Sequence, residues 1–397
     1  MSSLLHGAHG VPITKEIAVE LRQLVFGTAA APPRGEWTRT GLTFNSPNQD
    51  LAYGLRNQRN GTRGLYTVIQ GFIIKYLLFE RRVHGKRPNA EELLRPNAQQ
   101  QTEALLATMV EILMIIAEKS KVTIVLPGNE AYIPHSISYF QDSVTEKLHL
   151  YEMKKPDEIL AFLRRNISHF TEDPGPGALL FLYSAVFTRT LAKVRTDLDG
   201  SKGSYLVGPL EEGSLNIVTL LLTGRATPYL HNGVVYAGDE QNYAAPQYGV
   251  LNRSALGLLL WEGDKRSYSG RQPGSRLKTP SLPIWVTLCG THYGIVFNTN
   301  SDLLRNYHAE SRFDLHYYNC SGCHVLVTVD NRHQHENASF MLQRKTVSSQ
   351  NRDHPLQQRD DTGSTPLERL IHTKWEDASI KCQSQPITLS YLFNATS

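Results

Sequence analysis

A thiol becomes a nucleophile most readily at the N-terminus of a buried helix, where free N–H groups and the helix dipole lower its pKa and an imidazole from elsewhere takes its proton. This chain carries that frame. The turn Asn57–Gly64 opens a strongly apolar helical run, and His292 lies beside the β-rich stretch Pro283–Val296 far downstream. Between them, where a thiol would sit, stands Arg63. A guanidinium stays protonated, with a pKa above ~12, so it is neither nucleophile nor base, and a cation at a helix N-terminus opposes the dipole. The frame is present and its central atom is missing.

Other thiols are few: Cys289, Cys320, Cys323 and Cys382. Cys289 lies three residues before His292, without a helix dipole, and reads as a small buried hydrophobe. Cys320-Ser-Gly-Cys323-His324 spells the short pattern of covalent c-type haem attachment, and Cys323 with His333 and His335 can be drawn as a zinc site. Haem attachment belongs with exported chains, and zinc would want a second tight pair, which the distant Cys289 and Cys382 do not supply. Both patterns read as coincidence, the two thiols as small hydrophobes at a strand edge. No cofactor and no metal are expected.

Positions 56–87 hold eight basic residues against Glu80 alone, a net +7, while the remainder of the chain is −3. A helix of ~17 residues is about 25 Å long, so these charges form two clusters. Arg81, Arg82, Lys86 and Arg87 complement a helix C-terminus; Arg56, Arg59 and Arg63 crowd the turn before it. That second cluster reads either as a solvated loop or as a site for an anion or acidic partner. No aromatic residues interleave it, so nucleic acid is not indicated.

The elements that must position these residues follow from periodicity. Apolar residues at helical spacing predict helices over Ile13–Val25 (stopped by Gly27), Arg63–Glu80, Asn97–Lys119, Asp157–Arg165, Ala178–Val194 and Leu215–Leu222, with Asp157 and Ser214 as caps. Lys121–Leu126 reads as a strand. PIWVTLCGTHYGIVFN reads as two strands meeting near Gly290 and Thr291, and Arg312–Tyr318, His324–Val329 and Ile380–Leu392 continue the strand pattern. Residues 263–282 are a Gly/Pro/Ser-rich loop and 330–365 a polar insertion or mobile loop. Helices first and largely antiparallel strands later is the α+β pattern, with no βαβ alternation and no glycine fingerprint for a nucleotide.

At 397 residues with 40% hydrophobic and 20% charged side chains, the chain can bury a large core and is neither disordered nor fibrous. It reads as one domain over 1–397, its core about 10–392. A net charge of +4 is too small to argue for nucleic acid or an anionic membrane. MSSLLHGAHG lacks a basic segment followed by an apolar one, and the apolar runs near 71–79 and 109–117 are broken by Lys75 and Glu111, short of the ~20 residues a span requires. An intracellular protein without a membrane segment is expected.

Several motifs in order, GVPITKEIAVELRQLVFG, LAYGLRNQRNGTRGLYTVIQGFIIKYLLFE, LLLTGRATPYLHNG, LKTPSLPIWVTLCGTHYGIVFN, FDLHYYN and LIHTKWEDAS, cover most of the chain. In them it resembles the MINDY family of deubiquitinases, cysteine-type hydrolases of polyubiquitin chains, and most closely the longer branch of that family. The resemblance implies a papain-like α+β domain with ubiquitin or polyubiquitin as partner. It aligns the family's nucleophilic cysteine with Arg63, a proline with Thr62, the glutamine that donates to the oxyanion with Asn57, and the histidine with His292. Asn57 keeps the amide one methylene shorter, with Gln58 beside it. His292 equally suits a half-buried strand residue without a catalytic role.

The chain accordingly reads as a pseudoenzyme, a ubiquitin carboxyl-terminal hydrolase domain that binds ubiquitin without cleaving it. Two alternatives stand beside this: an active deubiquitinase working through a non-standard residue such as Cys289, and an interaction module that no longer holds ubiquitin. A ubiquitin probe with a thiol-reactive C-terminus separates them. The first predicts retention on ubiquitin resin with no adduct, the second an adduct lost in Cys289→Ala, the third neither retention nor adduct.

Overall fold

A computed structural model describes residues 10–57, 60–82, 88–198, 204–208, 215–238, 245–263, 272–332 and 365–382. The sequence-predicted features at Gln58, Arg59, Lys86, Arg87, Ser214, His333 and His335, residues 264–271 of the Gly/Pro/Ser-rich loop, most of the 330–365 insertion and the tail beyond 382 lie outside the described residues. The first part of the chain runs β1 (Val11–Pro12), α1 (Lys15–Phe26), α2 (Gly35–Thr38), α3 (Arg63–Lys75), α4 (Ala90–Leu93) and α5 (Ala98–Ala117). Next come β2 (Val122–Pro127), β3 (Leu148–Met153), α6 (Pro156–Arg165), α7 (Ser168–Thr171), α8 (Gly177–Arg189), α9 (Leu191–Asp197) and α10 (Leu215–Thr223). The later part holds β4 (Val234–Ala237), β5 (Ala245–Tyr248), β6 (Gly257–Trp261), α11 (Ser275–Lys278), β7 (Ile284–Cys289), β8 (His292–Phe297), β9 (Arg312–Tyr318), β10 (His324–Asp330), α12 (Pro366–His372) and β11 (Ser379–Cys382).

The expected α+β class is observed, helices mostly early and strands mostly late. Helix α3 is its centre. Every residue from Gly64 to Lys75 is buried, as a helix apolar on all sides must be, and it packs against α5, α10, β7 and β8. A six-stranded sheet, in the order β11-β10-β9-β8-β7-β6, carries cores on both faces. Period-2 alternation divides them: Leu258, Leu260, Ile284, Val286, Ile295 and Phe297 join the helical core around α3. Leu259, Trp285, Val296, Leu315 and Val327 form a second cluster with Leu367, Leu370 and Ile371 of α12 and with Trp375.

Capping chemistry explains several boundaries. Thr14 caps α1, and Gly27 ends it in the left-handed conformation at φ 81°. Asn97 and Gln100 form a reciprocal capping box at α5. Gly290, at φ 62°, opens the two-residue turn between β7 and β8, where Cys289 pairs directly with His292.

Three sequence expectations are corrected. The run 178–194 is two helices, α8 and α9, bent by 88° at Thr190, which adopts φ 77° and whose hydroxyl caps α9; apolar spacing continues through the bend and so conceals it. Asp157 is not the cap of α6: Pro156 takes the first helical position and Lys155 the cap, placing Asp157 in the first turn where its charge suits the dipole. The largely antiparallel pattern holds in the six-stranded sheet, where β6 runs parallel to β7, with α11 in the connection, and the other pairings are antiparallel. Within 263–282, Ser275–Lys278 is a helical turn. Among the described residues one helix, Ala98–Ala117, is long and apolar enough to cross a membrane, yet Leu105, Leu106, Met109, Ile112, Leu113 and Ile116 are buried in the core and it packs between α3, α6, α8 and α10.

The segment before α3 is tied to the sheet at close range. A Cβ on Gly54 would lie 2.1 Å from Tyr318 Oη, the hydroxyl that donates to Leu55 O at 3.0 Å. Gly54→Ala must displace that ring, and we expect a loss of about 1–3 kcal/mol. Urea denaturation checks it: a lower midpoint at unchanged slope is expected.

Candidate active site

The site is built where α3 begins. A 3-10 turn, Asn60–Thr62, runs into the helix, and Thr62, although it occupies the cap position, makes no side-chain capping bond. The first turn contains no acidic residue and starts with Arg63. Gly64 sits against the start of β8: a Cβ there would stand 3.4 Å from the Tyr293 ring and 3.5 Å from Val218 of α10. This close packing sets the helix start beside the first residues of β8, and so brings Arg63 near His292. The effect is visible in the imidazole, whose pKa is held below its ordinary value by burial and then by the Arg63 guanidinium. His292 is therefore neutral at pH 7 and able to accept a proton.

Asn57 reaches the same place from the other side. It is 2% exposed; its Nδ2 donates to Thr62 Oγ1 at 2.8 Å and its backbone N–H to Cys320 O at 2.9 Å. The residues before it are held by Gln70 of α3, whose Nε2 donates to Tyr53 O at 2.9 Å and whose Oε1 accepts from Leu55 N–H. Asn57, Arg63 and His292, separated by as many as 235 positions in sequence, are thus gathered round one helix start. Arg56 is exposed beside them.

The sequence reading did not place the β9–β10 turn here. Asn319 Oδ1 accepts from Ser321 N–H and Cys323 N–H, both at 3.1 Å, and Gly322 takes φ 93°, so the turn is tightly fixed. Arg63 Nη2 donates to Ser321 Oγ at 3.2 Å. Cys320, 6% exposed, lies under this contact. Burial pushes its thiol up to about 12, while Arg63 and a hydrogen bond with Thr67, one turn into α3, pull the other way. A thiol has therefore been delivered to the helix N-terminus by a strand. The one legible signal was Cys320 placed two residues beyond Tyr318, which pairs with Ile295 of the histidine's own strand.

The other thiols are differently placed. Cys289 pairs with His292 in register, but its Sγ donates to Pro366 O at 3.3 Å within the second core, and burial pushes it up to about 12. Cys323 and Cys382 pack against that same core, and all four cysteines are free. Among the described residues no cluster of three metal-ligating side chains is found. His324 instead meets His316, with Nε2 and Nδ1 3.1 Å apart. A cleft of about 530 Å³ lined by Tyr76, Glu80, Glu111 and Arg164 lies at the far end of α3 and includes none of the site residues.

Residues 22–384 match the conserved domain of the deubiquitinating enzymes MINDY-3/4. The chain belongs to that family. It is 29% identical over 375 residues to the probable ubiquitin carboxyl-terminal hydrolase MINDY-4 of Xenopus tropicalis, covering 94% of this chain and 46% of that protein. It is 30% identical over 381 residues to the mouse (Mus musculus) protein of the same name, covering 95% and 47%. To the human (Homo sapiens) ubiquitin carboxyl-terminal hydrolase MINDY-3 it is 24% identical over 309 residues, covering 71% and 65%. The chain spans about half the length of the MINDY-4 relatives. No solved structure matches it.

The expectation that the chain is not an enzyme, drawn from Arg63 and from the departures at Asn57 and Thr62, is corrected by these names, which are those of hydrolases and point to an enzyme. A thiol other than residue 63 does lie at this helix start, since Cys320 of the β9–β10 turn stands beside Arg63 and Thr67.

Removing the Arg63 charge should relieve its electrostatic hold on the imidazole. In Arg63→Gln we expect the His292 pKa to rise toward the ordinary histidine value, measured by NMR titration of the ring protons; an unmoved titration would place the guanidinium too far away to matter.

Proposed function

We propose that this domain is a ubiquitin carboxyl-terminal hydrolase acting on polyubiquitin chains or ubiquitin conjugates, with Cys320 as nucleophile, His292 as general base and Asn57 as oxyanion donor. The observation that carries the reading is a thiol beside the first turn of the central helix, within the field of the Arg63 cation that also acts on His292, in a chain of the MINDY-3/4 family. Family membership supports ubiquitin as the partner.

The residues divide the work as follows. Cys320 Sγ attacks the carbonyl carbon of ubiquitin's C-terminal residue while its proton passes to the neutral His292. The oxyanion that forms is met by the Asn57 side-chain amide. His292 returns the proton to the leaving amine, the C–N bond breaks, and water then hydrolyses the thioester with His292 again as base. Arg63, unable to react, lowers the cost of the thiolate and holds Ser321 over it. The resting thiol is protonated and covered, so substrate must part the Arg63–Ser321 contact before attack.

Ubiquitin carrying a C-terminal alkyne electrophile should form a covalent adduct, seen as a mass shift, that is retained in Cys289→Ala and lost in Cys320→Ser. His292→Ala should slow polyubiquitin cleavage roughly 100-fold or more. An adduct lost in Cys289→Ala instead would move the nucleophile, and absence of both adduct and cleavage in the unaltered chain would overturn the reading.

A further inference from the structure

The structure assigns to Glu36 the role of positioning residue for this site: its carboxylate, from a separate element, pins the amide of the turn that carries Thr62 and Asn57. The inference rests on the hydrolase reading above.

Helix α3 opens without the usual local cap. Thr62 makes no capping bond with its hydroxyl, which accepts instead from Asn57 Nδ2, and the first turn has no carboxylate of its own. Glu36 brings a carboxylate to the turn just before the helix from 25 residues upstream. Its Oε2 accepts the backbone N–H of Gly61 at 2.6 Å, a charge-assisted bond that also places a negative charge where the helix dipole favours one. The position of Glu36 is itself fixed, because the next residue, Trp37, is 1% exposed, meets the Phe26 ring edge-on at 6.1 Å, and anchors α2 against α8.

A continuous chain of contacts then runs through the site. Glu36 holds Gly61; the following residue, Thr62, receives the Asn57 amide; the Asn57 backbone N–H is given to Cys320 O. Releasing Gly61 therefore loosens the donor to the oxyanion and the carbonyl of the thiol residue together, without touching either. Gln at position 36 keeps an acceptor oxygen of the same reach, whereas Ala keeps none. The two variants should part.

With ubiquitin–aminomethylcoumarin as substrate, Glu36→Ala is expected to lower kcat roughly tenfold with KM unchanged, and Glu36→Gln to stay within about threefold of the unaltered protein. Hydrogen–deuterium exchange read by NMR gives a measure independent of turnover: the Gly61 amide should exchange roughly tenfold faster in Glu36→Ala, with α5 and α8 unchanged, and return toward the original rate in Glu36→Gln. Should the unaltered chain show no turnover, the hydrolase reading fails while exchange still decides the pin. Exchange of Gly61 at the original rate in Glu36→Ala overturns the inference, as does an unchanged kcat in an active enzyme.

Discussion

The constraint on which this molecule depends is the complete burial of α3. A helix with no wet side can be stable only inside a shell, and here α5 and α10 cover one part of it and strands β7 and β8 another. Burial from Gly64 to Lys75 leaves the helix open only at its first residue, Arg63, which is partly exposed. Close packing of Gly64 on Tyr293 then fixes how that opening meets the sheet. Site geometry is thus a consequence of packing, because the same contacts that stabilise the core decide which strand residues stand next to the helix end.

Electrostatics at this opening combine two effects of the same sign. A helix N-terminus already favours negative charge, and Arg63 adds a full cation to it. That is unfavourable for the arginine, which is met by Ser321 at one nitrogen, and it is favourable for any anion formed nearby, whether a thiolate at Cys320 or an oxyanion near Asn57. Burial lifts both Cys289 and Cys320 to about 12, yet of these two only Cys320 has a cation, Arg63, and a hydrogen bond, with Thr67, acting against that lift. Two cysteines with the same resting value are therefore not equivalent.

Much of the frame was legible along the chain. The apolar stripe of α3 announces a buried helix, the Gly-Thr turn announces the β7–β8 hairpin, and the positions of Asn57, Arg63 and His292 follow from where those elements begin. What failed to show was whatever depends on strand order or on a bend without a local signal. The turn at Thr190 is invisible because apolar spacing runs on through it, and the parallel pairing of β6 with β7 depends on a connection that periodicity does not describe. Cys320 was read as a small hydrophobe at a strand edge, which is true of its burial and silent about its neighbour.

The sequence by itself determined the α+β class, the central helix, the histidine strand and the fact that a permanently charged side chain heads that helix, since each rests on local periodicity or on the chemistry of a single residue. Only the tertiary structure decided that the β9–β10 turn lies over the helix start and that Glu36 pins the turn before it. The physical reason is distance along the chain: Ser321 meets Arg63 across 258 positions and Glu36 meets Gly61 across 25. Contacts of that span are set by how the sheet and helices pack, and no local pattern records them.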